Sequence, residues 1–314
     1  MNHFLSLDDV PDPFGLVDEA LKLKKDPLAF RKLGKNKTLG MLFFNASLRT
    51  RMSTQLAANN LGMNVILMNV TQDSWQIETE DGVVMNGEKA EHIREGAAVM
   101  GQYCNILAIR SFPTLKDREK DYQEVLINQF KRYAGVPILN MESATLHPLQ
   151  GLADMITIKE YKKTDRPKVV MSWAPHVKPL PQAVPNSFAQ WSRRFEYDFV
   201  ITHPEGMELN TKFTDGATIE YDQKKALEGA DFVYVKNWSS YKNYGMLGLG
   251  KEWMLTNEKL SVSNQAKVMH CLPVRRNVVI ADEVLDGPQS IVIEQANNRT
   301  FSAQAVLKNL LKTK

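Results

Sequence analysis

Apolar residues arrive along this chain in short unbroken runs that end on polar or charged residues. Thr38-Leu39-Gly40-Met41-Leu42-Phe43-Phe44 is one such run, and Ile106-Leu107-Ala108-Ile109 and Phe232-Val233-Tyr234-Val235 repeat the form. Runs of this length without alternation suit strands covered on both faces. Strands are therefore expected over 37–44, 64–70, 106–111 and 136–142, and in a second series over 168–173, 199–203, 232–236, 267–271 and 290–294. Stretches with helical spacing of apolar positions separate them, near 51–61, 90–103 and 122–134 and then near 182–194 and 223–228. Alternating strands and helices predict parallel α/β sheets, and two such series predict two halves. The break is expected near 142–151, with a last amphipathic run over 302–311.

Composition narrows the class without changing that picture. A chain of 314 residues is about twice a common domain. With 43% hydrophobic and 24% charged residues it is an ordinary globular sequence. Its net charge of +3 is small, and stretches such as Lys116-Asp117-Arg118-Glu119-Lys120-Asp121 mix both signs, which argues against a nucleic-acid partner. Two cysteines, Cys104 and Cys271, occur in contexts that read as interior strands, so neither a disulfide framework nor a clustered metal site is expected. No basic n-region opens the sequence, and no window approaches the roughly eighteen apolar residues of a membrane span. The expectation is a cytoplasmic protein without a membrane partner.

Chemistry enters at the ends of the apolar runs. Phe43-Phe44-Asn45-Ala46-Ser47-Leu48-Arg49-Thr50-Arg51 passes from a strand into dense hydroxyl and guanidinium donors at the start of a helix. An anion suits that place, because free N–H groups and the positive end of the helix dipole meet the side-chain donors there. Alone, the segment reads as a solvated capping turn. His147-Pro148-Leu149-Gln150 and His270-Cys271-Leu272-Pro273, however, also stand at strand ends. Three polar tips far apart in sequence fit one crevice at the carboxyl ends of parallel strands.

In this order and spacing, F-x-x-x-S-x-R-T-R, H-P-x-Q and H-C-L-P resemble the aspartate and ornithine transcarbamylase family. The likeness runs from the strand before Phe43 to the helix after Arg299. It implies an α/β fold of two doubly wound parallel-sheet domains with the active site in the cleft between them. Residues 1–146, rejoined by a C-terminal helix at about 299–314, would bind carbamoyl phosphate, and residues 147–298 the second substrate. It also implies a homotrimer with sites shared between subunits, and displacement at the carbamoyl carbon without metal or organic cofactor. By the same correspondence Ser47, Leu48, Arg49, Thr50 and Arg299 hold the phosphate end together with Trp75 of a neighbouring subunit. Arg110, His147, Gln150 and Thr50 surround the carbamoyl oxygen, and the backbone carbonyls of Gln150, Cys271 and Leu272 accept from the carbamoyl NH2. An ornithine-like δ-amine has a pKa of about 10.4, so a proton must be removed before attack, and no residue stands out as the general base.

Within the family the chain is most similar to the branch that uses an N-acylated ornithine. Ordinary ornithine transcarbamylases carry an aspartate for the substrate α-ammonium where this chain has Lys236, and its Lys236-Asn237-Trp238-Ser239-Ser240 is followed by no Ser-Met-Gly loop. Lysine would repel an α-ammonium, whereas an acylated nitrogen is uncharged and leaves a carboxylate to bind. Glu142, His176 and Arg275 correspond to positions along that substrate. Ala90, on a neighbouring subunit's loop, replaces the glutamate of acetylornithine enzymes and the proline of succinylornithine enzymes, and Val279 replaces a lysine of the acetyl enzymes. Both favour succinyl, with acetyl the alternative, and arginine biosynthesis is the implied setting. Residues 72–91, with Trp75 and several carboxylates, read as a long polar insertion that serves as a lid or as plain surface loop. A catalytically silent phosphate-binding paralogue is the alternative of a different class.

Overall fold

The computed structural model describes residues 1–312, Thr71 by its backbone alone. The chain forms two compact units. The first comprises Met1–Thr114, Glu119–Leu149 and the chain from Arg299 onward, and the second comprises Leu115–Arg118 and Gln150–Asn298. The divisions at Leu149/Gln150 and Asn298/Arg299 fall inside two helices, Pro148–Tyr161 and Val292–Lys312. Residues 313–314 of the expected C-terminal helix lie outside the described residues.

The first unit holds β1 (Thr38–Phe43), β2 (Asn64–Asn69), β3 (Ile77–Glu78), β4 (Glu91–His92), β5 (Ile106–Arg110) and β6 (Ile138–Glu142). Four make a parallel sheet in the order β2-β1-β5-β6, and β3 pairs with β4 separately. Every residue of β5 and β6 is buried, as is β1 after Thr38, whereas the edge strand β2 is half-exposed. Unalternating apolar runs thus became inner strands because both of their faces are covered. Leu42, Leu107, Ile109 and Ile138 pack with Ile93 and Phe130 of the helices Ile93–Tyr103 and Val125–Tyr133.

The second unit holds β7 (Lys168–Trp173), β8 (Asp198–Thr202), β9 (Thr218–Glu220), β10 (Phe232–Lys236) and β11 (Lys267–Met269), parallel in the order β11-β10-β7-β8-β9. Val170, Val233, Val235 and Val268 form its core with Leu255 and Ile280. In each unit the chain moves outward from one strand and then returns to that strand's other side. The reversals lie between β1 and β5 and between β7 and β10, and ligands bind at the carboxyl ends beside such points.

Three expectations are corrected. Residues 290–294 form no strand: Ser290 makes a single bridge to Val268, and Val292 begins the 21-residue helix Val292–Lys312. A short apolar run has the same pattern in a buried helix as in a strand, and here it opens the helix. Cys104 ends the helix Ile93–Tyr103, its N–H donating to Met100 O, and lies against Gly40, where an added Cβ would stand 2.7 Å from its Sγ. Cys271 follows β11 rather than belonging to it, and both cysteines are buried thiols that form no disulfide. Finally, residues 72–91 are not a bare insertion. β3 and β4 pair within them, and Glu78 accepts from Lys89 Nζ at 2.8 Å and from the N–H groups of Thr79 and Glu80. The Lys89 hydrogen bond, with those backbone donors, holds the Glu78 carboxyl at about 2.

Candidate functional site

In the first unit the carboxyl end of β1 leads into the helix Arg49–Asn60. Its N-cap is Leu48, and no side chain caps it. Ser47 and Thr50 are therefore not spent on capping, and the first-turn N–H groups remain available to an anion. Buried Thr50 accepts through Oγ1 from the Arg299 guanidinium. Arg49 is half-buried, Leu48 is 67% exposed, and the Arg51 fork rests over the Phe43 ring at 5.6 Å.

Arg110 closes β5, and Glu142 closes β6. The register slips between Ile109 and Arg110, so Arg110 stands opposite Glu142. The Arg110 guanidinium bonds Glu142 Oε2 from NH2 at 2.9 Å and from Nε at 3.1 Å, while NH1 donates to Ala46 O at 2.6 Å. That last bond ties β5 to the Ser47 corner. Glu142, expected along the acylornithine, is here the counter-ion of Arg110, which accounts for an otherwise costly buried cation.

The turn from Glu142 to His147 is held by Glu124, whose carboxylate accepts from the Ala144 and Thr145 N–H groups and from the Ser143 and Thr145 hydroxyls. Nothing in the sequence around Glu124 marked it. His147 Nε2 lies 3.4 Å from Arg299 NH2 and 3.8 Å from Glu142 Oε2. Burial, then Arg299 and then Arg110, push His147 well below the ordinary 6.5. The ring is neutral, so its approach to Glu142 is not an ion pair. Ser47, Arg49, Thr50, Arg110, Glu142, His147 and Arg299 all belong to this unit, and among Thr50, Arg110, Glu142, His147 and Arg299 the contacts are direct.

In the second unit the ends of β7 and β10 are joined by Trp173 Nε1 donating to Trp238 O and by Asn237 Nδ2 donating to Ala174 O. Lys236 ends β10 and is 8% exposed, yet no hydrogen bond or ion pair joins its ammonium to another of the described residues. His176 lies past β7. Its Nε2 accepts from Arg275 Nε at 3.3 Å, and its Nδ1 stands 2.9 Å from Lys178 O. Burial lowers its pKa first, the hydrogen bond to the Lys178 carbonyl opposes that shift, and the charges of Lys236, Arg275 and Lys178 lower it further. Lys236 and Arg275 are thus brought to one neutral histidine in a cationic patch.

The His270-Cys271-Leu272-Pro273 turn follows β11, with the Leu272 N–H donating to His270 Nδ1 at 2.8 Å and Leu272 in left-handed conformation. Gln150, at the start of the helix Pro148–Tyr161, donates from Nε2 to Asp154 Oδ1 at 2.7 Å. Its Oε1 is buried with no partner among the described residues. The atom left over is an acceptor, which suits an N–H rather than the carbamoyl oxygen expected beside it. Asp154 escaped notice, although its place four residues after Gln150 on one helix was a usable signal.

Trp75 is 58% exposed, with Nε1 donating to Glu91 Oε2 at 2.8 Å. Ala90 is exposed, and its N–H donates to Gln76 O. Neither makes a hydrogen bond to the first-unit cluster among the described residues. No group of His, Cys, Asp and Glu among the described residues could hold a metal ion, and no helix among them is long and apolar enough to cross a membrane.

Residues 2–160 match the family domain described as aspartate/ornithine carbamoyltransferase, carbamoyl-P binding domain, and residues 181–310 match its Asp/Orn binding domain. The chain is 55% identical over 314 residues to the N-succinylornithine carbamoyltransferase of Bacteroides thetaiotaomicron, covering 99% of each chain. It is 34% identical to the N-acetylornithine carbamoyltransferase of Xylella fastidiosa, covering 99% of this chain and 98% of that one. Among solved structures it is similar to acetylornithine transcarbamylase complexed with acetylcitrulline, at 32% identity, TM-score 0.94 and full coverage of both chains. A glutamate-to-alanine mutant of N-acetyl-L-ornithine transcarbamylase, complexed with carbamyl phosphate and N-succinyl-L-norvaline, matches with TM-score 0.93 at 32% identity over 99% of this chain and 100% of that one.

Proposed function

The chain belongs to the aspartate/ornithine carbamoyltransferase family, and on that premise we propose that it transfers the carbamoyl group of carbamoyl phosphate to the δ-amine of N2-succinyl-L-ornithine. The products are N-succinyl-L-citrulline and phosphate. Lys236 is the observation that carries the choice of substrate. A buried ammonium with no ion-pair partner among the described residues calls for an anion and rejects an α-ammonium, so it suits an acylated ornithine through its carboxylate. Arg275 and His176 beside it extend the same preference toward the acyl end.

The first-unit residues are assigned to carbamoyl phosphate. The uncapped start of the helix Arg49–Asn60, with Ser47, Leu48, Arg49, Thr50 and Arg299, holds the phosphate. Arg110, Thr50 and neutral His147 supply donors to the oxygen on which negative charge grows as the amine attacks, a form of stabilisation worth roughly 10²–10³ in rate per donor. Gln150 Oε1 and the carbonyls of Gln150, Cys271 and Leu272 accept from the carbamoyl NH2. The carbon–phosphate oxygen bond breaks as the carbon–nitrogen bond forms, and the departing phosphate takes the proton shed by the amine. The cationic surroundings of Lys236 and Arg275 favour the neutral amine that attack requires.

The succinyl reading is supported by the 55% identical relative and by Ala90, which puts no carboxylate against the substrate's extra charge. We assign the protein to the cytoplasm and to arginine biosynthesis, as a homotrimer. Leu48, Met52 and Leu56, spaced four apart on the helix Arg49–Asn60 and 67%, 66% and 50% exposed, offer an apolar stripe for a second copy. Initial rates of phosphate release with succinylornithine, acetylornithine and ornithine at fixed carbamoyl phosphate test the reading. Succinylornithine should turn over fastest and ornithine not at all. Faster turnover of acetylornithine would move the assignment to the acetyl enzyme, and no release with any of the three would make the protein a silent paralogue.

A further inference from the structure

Gln150 can help bind a carbamoyl N–H only if its amide is turned one way, because a half-turn about its last bond exchanges an acceptor for a donor. Amide side chains turn cheaply unless a neighbour forbids it. We propose that Asp154 and Gln295 form a buried relay that sets the direction of the Gln150 amide, making both of them positioning residues for carbamoyl-phosphate binding.

The relay starts from a group whose polarity is fixed. The His270 backbone N–H can only donate, and it donates to Gln295 Oε1 at 2.8 Å. Gln295 must then present Nε2 on its other side, where it donates to Asp154 Oδ1 at 2.7 Å. The same oxygen accepts a second hydrogen bond, from Gln150 Nε2 at 2.7 Å. Oε1 of Gln150 is left pointing elsewhere, buried and without a partner among the described residues. Gln150, Asp154 and Gln295 are at most 1% exposed, so bulk water does not compete for any link.

Burying a carboxyl group at this depth is unfavourable, and a well-packed apolar side chain would stabilise the helix more cheaply. A polar group here makes sense if direction, rather than stability, is what it supplies. The relay also begins at His270, one residue before the Cys271 and Leu272 carbonyls assigned to the same NH2 group. One buried carboxyl group therefore orients the side-chain acceptor and is tied to the turn bearing the backbone acceptors.

The inference rests on the carbamoyl-transfer reading, so wild-type turnover with succinylornithine is measured first. Asp154→Ala should then lower kcat/KM for carbamoyl phosphate about tenfold, the size of one lost hydrogen bond, while KM for the acylornithine changes by less than about twofold. Asp154→Asn retains an oxygen acceptor and should recover most of the loss. In a Gln150→Ala background, Asp154→Ala should add nothing, because the amide it directs is gone. If Asp154→Ala does not fold, Gln295→Leu, which removes the anchor and leaves Asp154 in place, takes its place in the same double-mutant cycle. Wild-type kcat/KM in the alanine variant, losses that multiply in the double variant, or an asparagine variant as impaired as the alanine one would each overturn the relay. Any of these with an active wild type rejects the relay alone, whereas a wild type that transfers to no acylornithine rejects the underlying reading and the relay with it.

Discussion

His147 illustrates how one residue's surroundings decide its chemistry. Imidazole ordinarily titrates near 6.5, but burial between Arg299 and Arg110 keeps this ring neutral well below that value. In the unfolded chain the ring takes up a proton as the pH falls past 6.5, while in the folded protein it does not. The unfolded state is then favoured, so stability contributed by neutral His147 is present above pH 6.5 and lost as the pH falls toward the lowered folded value. The slope from one such group is at most about 1.4 kcal/mol per pH unit. His3, His176 and His203 are lowered by burial as well and add to the same trend. Thermal unfolding of wild type and His147→Gln between pH 7 and 5 should show a shallower decline in the variant. Parallel curves would mean that His147 titrates alike in the folded and unfolded protein. The presence of a histidine at this strand end was legible in H-P-x-Q, but its protonation state was not, because Arg299 is 152 residues away.

At the scale of elements, residues 72–91 are held at their base rather than loose. The β3–β4 pair and the Glu78–Lys89 bridge close the segment, and Trp75 Nε1 donates to Glu91 Oε2. Ala90 stands at the end of that framework with its side chain exposed and its backbone N–H engaged, so substitution there should leave the fold intact. Ala90→Glu is expected to lower kcat/KM for succinylornithine about five- to tenfold relative to acetylornithine, since a like charge at partial exposure costs on the order of 1 kcal/mol. An unchanged ratio of the two substrates would remove Ala90 from specificity. The composition of this segment announced polarity and length. Its pairing was hidden because two-residue strands leave no periodicity to read, just as 290–294 gave no sign that its apolar run opens a helix.

At the scale of the molecule, the proposed homotrimer makes a prediction about shared sites. Arg49→Ala removes a guanidinium proposed to bind the phosphate, and Trp75→Ala removes an exposed aromatic proposed to reach a neighbour's phosphate end. Each variant alone should be nearly inactive. Mixed trimers would pair an intact Arg49 surface with an intact neighbouring Trp75 at some sites and so recover part of the activity. Subunit exchange is verified independently, by mass of the mixed species. Verified mixed trimers without recovered activity, or a fully active monomer, would reject the shared site.

By itself the sequence determined the class of fold, the two halves, and the strand ends where chemistry collects. Unalternating apolar runs and polar tips such as Ser47–Arg51 and His147–Gln150 are local patterns, and local pattern follows from burial of whole strands. It also determined the sign of the charge at the end of β10, because a lysine in place of an aspartate changes sign whatever surrounds it. Only the tertiary structure decided which groups are spoken for. Glu142 is taken by Arg110, Thr50 by Arg299, and Gln150 Nε2 by Asp154, while the Lys236 ammonium has no hydrogen-bond or ion-pair partner among the described residues. The helix Arg49–Asn60 likewise starts without a side-chain cap. Those outcomes depend on groups up to 249 residues apart meeting where water is excluded. There each donor must find its acceptor in the fold, and a pattern confined to neighbouring positions cannot encode which one it finds.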